Sequence, residues 1–323
     1  MGVSRRAVLV HDSAAQSFDA LKHVFENPAL AAELRELWDS KLAESNVARP
    51  VNVSKVQHLS PFRYPGGKTW LVPEVRRWAA LNDLHRLVEP FAGGASCGLA
   101  IAHEGLAREV VLGELDPYVA SVWRVVFEEN AGALSEVMER ISSFEVTREH
   151  VQNELAKQPN SASDLAFQTI LRNRCARGGI MAPGAGLTKS GEKGKGIGSR
   201  WYPETLNRRF DVLRELRDTV RFVEGDAFRL LSKYRRGKRT GWFIDPPYTA
   251  SGKSAGRRLY GVHELDHERL FFEASRLAGP VMMTYDDAPE VRELARRFGF
   301  EIGTVPMKST HHAVHKELIL TKG

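Results

Sequence analysis

The octapeptide GWFIDPPY, Gly241–Tyr248, decides how the rest of the chain is interpreted. Its apolar run Trp242–Ile244 predicts a short buried strand, and the two prolines prevent the strand from continuing. Asp245 is therefore expected at the carboxyl end of this strand, which is where open α/β sheets place their ligands. The simpler alternative is a strand that ends in a proline turn with a tyrosine at the surface.

The residue types around Asp245 suit the activation of an amino group attached to a heteroaromatic ring. Such a nitrogen is a poor nucleophile because its lone pair is delocalised into the ring. The Asp245 carboxylate and the Pro246 carbonyl can accept its two N–H bonds and hold the lone pair out of conjugation. Tyr248, which follows Pro247, offers an aromatic face on which a base extruded from a duplex can stack.

The whole-chain composition indicates a globular protein whose charge suits a polyanionic partner. The 323 residues are 42% apolar and carry a net charge of +6, which is enough apolar material for one large domain or two moderate ones. Two cysteines, Cys97 and Cys175, provide neither a disulfide framework nor a metal cluster. Because no signal-peptide pattern and no apolar run of membrane-spanning length is present, we expect a cytoplasmic, nucleoid-associated protein that uses no metal and no membrane.

The positive charge is concentrated in the middle of the chain. Residues 172–209 contain nine Lys or Arg against two acids, and residues 221–239 contain seven against two. The first of these stretches is also rich in glycine, which predicts a hairpin or ordered loop that touches phosphates and base edges of a nucleic acid. A disordered surface loop is the alternative that composition leaves open.

Strands and helices alternate along the chain, which predicts a doubly wound α/β sheet. Residues 125–215 interrupt the alternation and are interpreted as a mainly helical insertion. Residues 1–55 are interpreted as an N-terminal helical extension that packs on the main domain or, less favoured, on a protein partner. Predicted strands lie near residues 87–89, 108–112, 221–224, 242–244, 281–286, 300–305 and 317–320.

Two predicted strand ends carry groups suited to a nucleotide-like ligand. Gly93 and Gly94 follow the first strand in a turn that leads into a helix, whose amino end favours such a ligand. Glu114 ends the second strand about twenty residues later, where an acid can reach ribose hydroxyls. Asp116 is the alternative acid, and Glu114 is preferred because it lies closer to the strand end.

The motifs and their order resemble the Dam-type family of DNA adenine-N6 methyltransferases. The resemblance covers residues 58–323 and implies S-adenosyl-L-methionine as cofactor and double-stranded DNA as substrate. It also implies a Rossmann-like S-adenosylmethionine-dependent methyltransferase sheet, with a catalytic domain at 56–124 and 216–323 and a target-recognition insertion at 125–215. The matching stretches are PFRYPGGK (61–68), EPFAGG (89–94), GELDP (113–117), EGD (224–226) and DPPY (245–248).

The resemblance carries roles to individual residues. The target adenine is assigned to Asp245, Pro246, Pro247 and Tyr248. The cofactor is assigned to Tyr64, Gly67, Lys68, Phe91, Gly93, Gly94, Glu114, Asp226, Phe228 and Asp245. DNA contacts are expected, on charge and position, from Arg172, Asn173, Arg174, Arg177, Lys189, Arg200 and Arg257. Ala95 stands where the family usually has glycine, and Glu114 where it often has aspartate.

Two other functions remain open at this stage. The same acid–proline–proline–aromatic pattern can orient the N4 amino group of cytosine or an amino group of an RNA base. A catalytically silent DNA-binding protein of the same fold is the third possibility, although retention of Asp245 and both glycines argues against it. The segment 249–260, rich in Gly, Ser, Lys and Arg, is further predicted to be a lid that orders when DNA and cofactor bind.

Overall fold

The computed structural model describes residues 56–63, 67–179, 181, 185–191, 194–247, 265–308 and 314–323, with backbone alone considered at 306–308 and 314–316. The chain divides into two compact units, and the second, Pro50–Gly323, contains every described residue. The predicted N-terminal extension and the predicted lid therefore lie outside the described residues. Tyr64, Tyr248 and Arg257, which were assigned to the cofactor, the target base and DNA, lie outside them as well.

The described chain forms a seven-stranded sheet in the order β3-β2-β1-β4-β5-β7-β6. Strands β1 to β5 run parallel, and β7 lies antiparallel between β5 and β6. The predicted Rossmann-like methyltransferase sheet is confirmed by this strand order. The strands are β1 (Arg86–Glu89), β2 (Glu109–Glu114), β3 (Val220–Glu224), β4 (Thr240–Ile244), β5 (Val281–Asp286), β6 (Glu301–Lys308) and β7 (Val314–Lys322).

Both faces of the central strands are buried because successive side chains point to opposite faces. In β1, Leu87 belongs to one apolar cluster and Val88 to the other. In β4, Phe243 faces the first cluster, whereas Trp242 faces the second. A strand covered on both faces reads as a continuous apolar run, and this explains why β4 was recognisable in the sequence.

Helices cover both faces of the sheet. The described helices are α1 (Val72–Leu81), α2 (Ser96–His103), α3 (Pro117–Phe127), α4 (Ala131–Ser143), α5 (Arg148–Ala156), α6 (Ala162–Cys175), α7 (Pro203–Glu215), α8 (Ala227–Tyr234), α9 (His267–Ser275) and α10 (Pro289–Arg297). Helices α1 to α7 contribute to the first apolar cluster, and α8 to α10 to the second. The sheet is therefore doubly wound.

The predicted insertion consists largely of helices α4 to α7, as expected. Buried side chains of these helices, among them Leu134, Phe167 and Phe210, join the same apolar cluster as Leu87 of the central sheet. Trp201 packs against Phe167 with ring centroids 6.3 Å apart. The helical insertion is thus built onto one face of the sheet and shares its core.

Candidate functional site

The parallel strands bring four acidic residues to one edge of the sheet. Glu89, Glu114 and Glu224 are the last residues of β1, β2 and β3, and Asp245 follows the last residue of β4. Because these four strands are parallel neighbours, their carboxyl ends lie at the same edge. The sequence prediction that Asp245 and Glu114 follow strand ends is in agreement with this arrangement.

Asp245 is held in a buried ionic cluster. The Lys68 ammonium lies 2.9 Å from Asp245 Oδ1 and 3.0 Å from Glu317 Oε1. Thr284 in β5 donates its hydroxyl to the same Asp245 oxygen at 2.7 Å. Lys68 and Glu317 are almost fully buried, whereas the Asp245 side chain is 21% exposed. The carboxylate is therefore fixed from inside the protein and reaches the surface of the site.

Lys68, which the resemblance assigned to the cofactor, contacts two carboxylates. Its ammonium is engaged by Asp245 and Glu317, so it fixes the position of the Asp245 carboxylate, and its contact with the cofactor stays a prediction. Burial alone would lower the pKa of Lys68, but the attraction of the two carboxylates outweighs burial and raises that pKa above its usual value. Lys68 therefore remains charged over the physiological pH range.

The cluster carries more negative than positive charge. One ammonium, that of Lys68, faces the carboxylates of Asp245 and Glu317. Glu89 lies nearby, and burial, with a smaller contribution from the charge of Asp245, raises its pKa well above the usual range. Its Oε2 accepts the Gly98 N–H at 2.7 Å. Among the described residues, three acidic side chains and one ammonium therefore meet at this site.

The glycine-rich turn after β1 is tied to Glu114. Gly93 has a positive φ of 47°, and its N–H donates to Glu114 Oε2 at 2.8 Å. The other carboxylate oxygen, Oε1, accepts the N–H groups of Leu115 and Asp116 at 2.8 and 2.9 Å. Burial raises the pKa of Glu114 to about 7, although the three N–H donors oppose that shift. A carboxylate has about four lone-pair positions, so Glu114 retains capacity for a hydroxyl donor.

The alternative acid, Asp116, has a different task. Its side chain accepts the Tyr118 N–H at 2.9 Å and caps the amino end of α3. Asp226 caps α8 in the same way by accepting the Phe228 N–H at 2.9 Å. The loops of Glu114 and Asp226 are adjacent, since Gly225 donates its N–H to the Glu114 carbonyl at 2.9 Å.

The remaining residues assigned to the cofactor lie around these loops. Phe91 is half-buried, and Gly94 is buried beside Gly93. Gly67 is exposed and immediately precedes the turn that contains Lys68. One face of the Phe228 ring is covered by the Arg269 guanidinium, whose carbon lies 4.1 Å from the ring centroid. A ligand ring can therefore stack only on the opposite face of Phe228.

Asn173 and Arg174 were predicted to lie in a hairpin or ordered loop, whereas the structure places them at the end of a helix; their contact with DNA stays a prediction. Both belong to the last turn of α6 and are buried. The Asn173 amide donates to the carbonyls of Arg63 and Gly179 and accepts the Arg63 N–H. Arg174 donates to the Pro61 carbonyl. Their burial fastens the segment at residues 56–63 to the helical insertion.

The other predicted DNA contacts lie nearer to solvent. Arg177 and Lys189 are exposed, and Arg172 and Arg200 are half-buried. The stretch is ordered by an antiparallel bridge between Ala176 and Leu187, which agrees with the hairpin interpretation for the part of the stretch that the structure describes. Whether these four side chains contact DNA stays a prediction.

Sequence reasoning missed Glu317, Thr284 and Glu89. Glu317 and Thr284 come from β7 and β5, which pair with each other in the sheet. Glu89 is the last residue of β1, and its position at a strand end, in the stretch EPFAGG, was a signal that it faces the site.

In the described ranges, no group of three or more His, Cys, Asp or Glu side chains is arranged to hold a metal. No helix in the described part of the chain is long and apolar enough to cross a membrane.

The comparisons with known proteins agree with this architecture. The chain is similar, at 25% identity over 252 residues, to the DNA N-6-adenine-methyltransferase of Escherichia phage P1. The match includes 75% of this chain and 32% of that protein, so the chain spans about a third of the length of this curated relative.

Solved structures with some similarity include an rRNA methyltransferase of Streptomyces viridochromogenes. Its TM-score is 0.38 at 14% identity, over 80% of this chain and 86% of that one. A precorrin-6y C5,15-methyltransferase of Geobacter metallireducens has a TM-score of 0.33 at 12% identity, over 77% and 85% of the two chains. Both TM-scores lie below 0.5, and the fold assignment rests on the strand order.

The family comparison covers most of the chain. The model of the D12 class N6 adenine-specific DNA methyltransferases matches residues 64–306. This range contains Lys68, the glycine turn at Gly93, Glu114 and Asp245, together with the whole helical insertion. The chain belongs to the D12 class of N6 adenine-specific DNA methyltransferases.

Proposed function

We propose that this protein transfers a methyl group from S-adenosylmethionine to the N6 amino group of adenine in double-stranded DNA. The observation that carries the proposal is the fixed position of Asp245 at the carboxyl end of β4. Lys68 and Thr284 both bond to its Oδ1, so the carboxylate keeps one orientation before any substrate arrives. Preorganisation of this kind removes reorganisation from the barrier to reaction.

The residues at the sheet edge fit the proposed cofactor in charge and in shape. The described cluster contains three acidic side chains (Asp245, Glu317 and Glu89) and one ammonium (Lys68), and this composition favours a sulfonium cation over an anion. The turn at Gly93 is held open by the Glu114 carboxylate, which retains capacity for a ribose hydroxyl. When bound, S-adenosylmethionine would supply an electrophilic methyl group on its sulfonium.

The chain's own groups orient the nucleophile. The Asp245 carboxylate and the Pro246 carbonyl accept the two N–H bonds of the adenine amino group, which directs its lone pair out of the ring plane. Lys68 holds the Asp245 carboxylate in place, and it is a positioning residue because it acts through Asp245. Tyr248 is proposed to stack on the extruded base, which must leave the duplex to reach this depth.

The proposal also assigns different functions to different segments of the chain. Residues 56–124 and 216–323 would form the catalytic domain, and residues 125–215 would recognise DNA. Arg172, Arg177, Lys189, Arg200 and Arg257 are proposed to contact phosphates or base edges. The N-terminal extension at 1–55 is proposed to pack on the same chain or to bind a protein partner.

The direct test incubates the protein with DNA and S-adenosylmethionine labelled in its methyl group, then digests the DNA and identifies the labelled nucleoside. We expect label in N6-methyldeoxyadenosine. The matched control is Asp245→Asn, which keeps the shape of the side chain but replaces the charged carboxylate by a neutral amide. We expect this variant to bind cofactor in calorimetry and to lose methyl transfer by about 10²–10³-fold or more.

The other outcomes assign the protein elsewhere. Label in N4-methyldeoxycytidine, or in RNA and not in DNA, would replace adenine as the target. DNA binding without label in any nucleoside would identify a silent member of the fold. Transfer by Asp245→Asn at the wild-type rate would remove Asp245 from the catalytic role.

A further inference from the structure

A cavity of about 450 Å³ lies beside the catalytic cluster. Gly67 and Thr69 line it, whereas the Lys68 side chain between them points to Asp245 and Glu317. Thr69 donates its hydroxyl to Ser96 at 3.4 Å, and Ser96 also lines the cavity at the start of α2. The same turn therefore contacts the carboxylate site on one side and this cavity on the other.

The cavity is lined by cationic side chains. Arg63, Arg174 and Arg209 contribute guanidinium groups, and His58 adds an imidazole. None of the described residues that line the cavity is acidic. Tyr202 and Thr205 complete the wall on the side of the helical insertion.

Arg174 is the most unusual of these groups because it is 95% buried without a carboxylate partner in the described residues. One of its terminal nitrogens donates to the Pro61 carbonyl, while its Nε has no hydrogen-bond partner. Burial, reinforced by the charges of Arg209 and Arg63, lowers the pKa of Arg174 to about 9. A buried, partly unsatisfied cation is costly unless an anion accompanies it.

Arg209 is arranged in a similar way. Its Nη1 donates to the Ser60 carbonyl at 2.7 Å, and burial lowers its pKa. Backbone carbonyls thus fix the positions of both guanidinium groups, and no carboxylate among the described residues that line the cavity compensates their charge. Burial and the charge of Arg209 both lower the pKa of His58.

We propose that Arg174 and Arg209 form an oxyanion site in this cavity and that its ligand is a phosphodiester group of the DNA strand. Each planar guanidinium group can donate two parallel hydrogen bonds to the oxygens of a phosphate. Tyr202 and Gly178, which are exposed and belong to the helical insertion next to the exposed Arg177, line this cavity. It also lies one residue from Lys68, so a bound phosphate would anchor the strand close to the nucleotide that enters the Asp245 site.

This inference rests on the proposed function, and the carboxylate of the cofactor is the competing source of the anion. The test therefore has two arms on the full chain, with two variants. Arg209→Gln removes a half-buried charge at the cavity, and Arg174→Lys keeps the charge but removes the planar fork. Arg296→Gln, at an exposed arginine of α10 that does not line the cavity, is the matched control.

In the first arm, the affinity for duplex DNA is measured at several salt concentrations. We expect Arg209→Gln to weaken binding about tenfold and to reduce the slope of log affinity against log salt by about one, because one phosphate contact is lost. Arg174→Lys should weaken binding in the same direction, and Arg296→Gln should leave the slope unchanged. Thermal unfolding of each variant establishes that it is folded, and Arg209→Gln carries the test if Arg174→Lys does not fold.

In the second arm, calorimetry measures the affinity for S-adenosylmethionine without DNA. We expect Arg209→Gln to bind the cofactor within about twofold of wild type, because the phosphate contact that this variant loses is made with DNA and not with the cofactor. A weaker cofactor affinity in this variant would assign the anion to the cofactor's carboxylate and overturn the proposal. An unchanged DNA affinity and salt slope would overturn it as well.

The two proposals fail differently. If wild-type protein labels no nucleoside, the proposed methyl transfer fails, whatever the salt slopes are. If wild-type protein methylates adenine and Arg209→Gln retains the wild-type DNA affinity and salt slope, the anion site fails while the function stands.

Discussion

The two buried ionic clusters on either side of the turn at Gly67–Thr69 differ in how their charge is balanced. In the cluster of Lys68, Asp245 and Glu317, a cation contacts two carboxylates within 3.0 Å. In the cavity, Arg174 and Arg209 repel each other and bond to backbone carbonyls. In the first cluster the chain itself supplies the group that fixes Asp245, whereas we propose that the second cluster acquires its counter-charge from a ligand.

The largest expected effect comes from removing the cation of the cluster formed by Lys68, Asp245 and Glu317. Lys68→Met removes the ammonium that contacts Asp245 and Glu317, so we expect the free energy of unfolding to fall by about 3–5 kcal/mol and methyl transfer to be lost. Denaturant unfolding measures the first effect, and labelled-methyl transfer measures the second. A fall of less than about 1 kcal/mol in the free energy of unfolding would mean that Lys68 does not interact with the two carboxylates as strongly as the distances imply.

The double variant Lys68→Met/Glu317→Gln sharpens that result. It replaces one of the two carboxylates that lose the Lys68 ammonium, so we expect the double variant to be more stable than Lys68→Met by about 1–3 kcal/mol. Catalysis should not return, because Asp245 still lacks its positioning partner. If the second substitution destabilises the protein further, Glu317 has a structural role other than its pairing with Lys68.

The cavity of Arg174 and Arg209 should tolerate the loss of one cation better. Arg174→Met keeps the apolar stem and leaves the Pro61 carbonyl without its donor, so we expect a loss of about 1–2 kcal/mol in the free energy of unfolding. The same denaturant experiment places this variant beside Lys68→Met. A loss as large as that of Lys68→Met would show that Arg174 is compensated by a group within the chain.

Glu114 is an intermediate case, since its buried carboxyl group bonds to backbone N–H groups and to no cation among the described contacts. Its pKa of about 7 lies above that of an unfolded glutamate, so the folded state holds the proton more tightly. The contribution of this group to stability is therefore present at acidic pH and is lost as the pH rises towards 7.

Cofactor affinity should show the opposite dependence, because a ribose hydroxyl donates to the ionised form. We expect the affinity for S-adenosylmethionine to fall about tenfold between pH 8 and pH 6. Glu114→Gln should bind more weakly, by about 1–3 kcal/mol, and should remove this part of the pH dependence. Calorimetry at several pH values measures both, and an unchanged pH profile in Glu114→Gln would contradict the role.

The smallest expected effect is at Asp116, where the acid caps a helix and belongs to neither cluster. Asp116→Ala should lower the free energy of unfolding by about 1 kcal/mol, the usual cost of a lost helix cap. Asp116→Asn, which can still accept the Tyr118 N–H, is the matched control and should be close to wild type. Loss of cofactor affinity in Asp116→Ala beyond that of Glu114→Gln would reverse the choice between the two acids.

The parts of the molecule that the sequence predicted are those encoded locally. Asp245 and Glu114 follow strands whose apolar runs are readable because the central sheet is buried on both faces. The pairing of Lys68 with Glu317 was not predictable in this way, since it joins residues near opposite ends of the chain through the antiparallel return of β7.

The misplacement of Asn173 and Arg174 has a different cause. A count of Lys and Arg along a stretch gives its net charge but does not identify which side chains lie on the buried side of a helix. Helix α6 continues to Cys175, so these two residues turn inward, whereas Arg177 after the helix is exposed. The arginines that composition assigned to one surface are in fact divided between a cavity and the surface.

The position of β7 between β5 and β6 has a consequence for the order of folding. Glu317 reaches Lys68 only when β7 has paired with β5, so this ion pair depends on residues that are far apart in the sequence. Contacts of that kind form slowly. A folding intermediate in which β1 to β5 have paired without β7 would hold an incomplete ionic cluster.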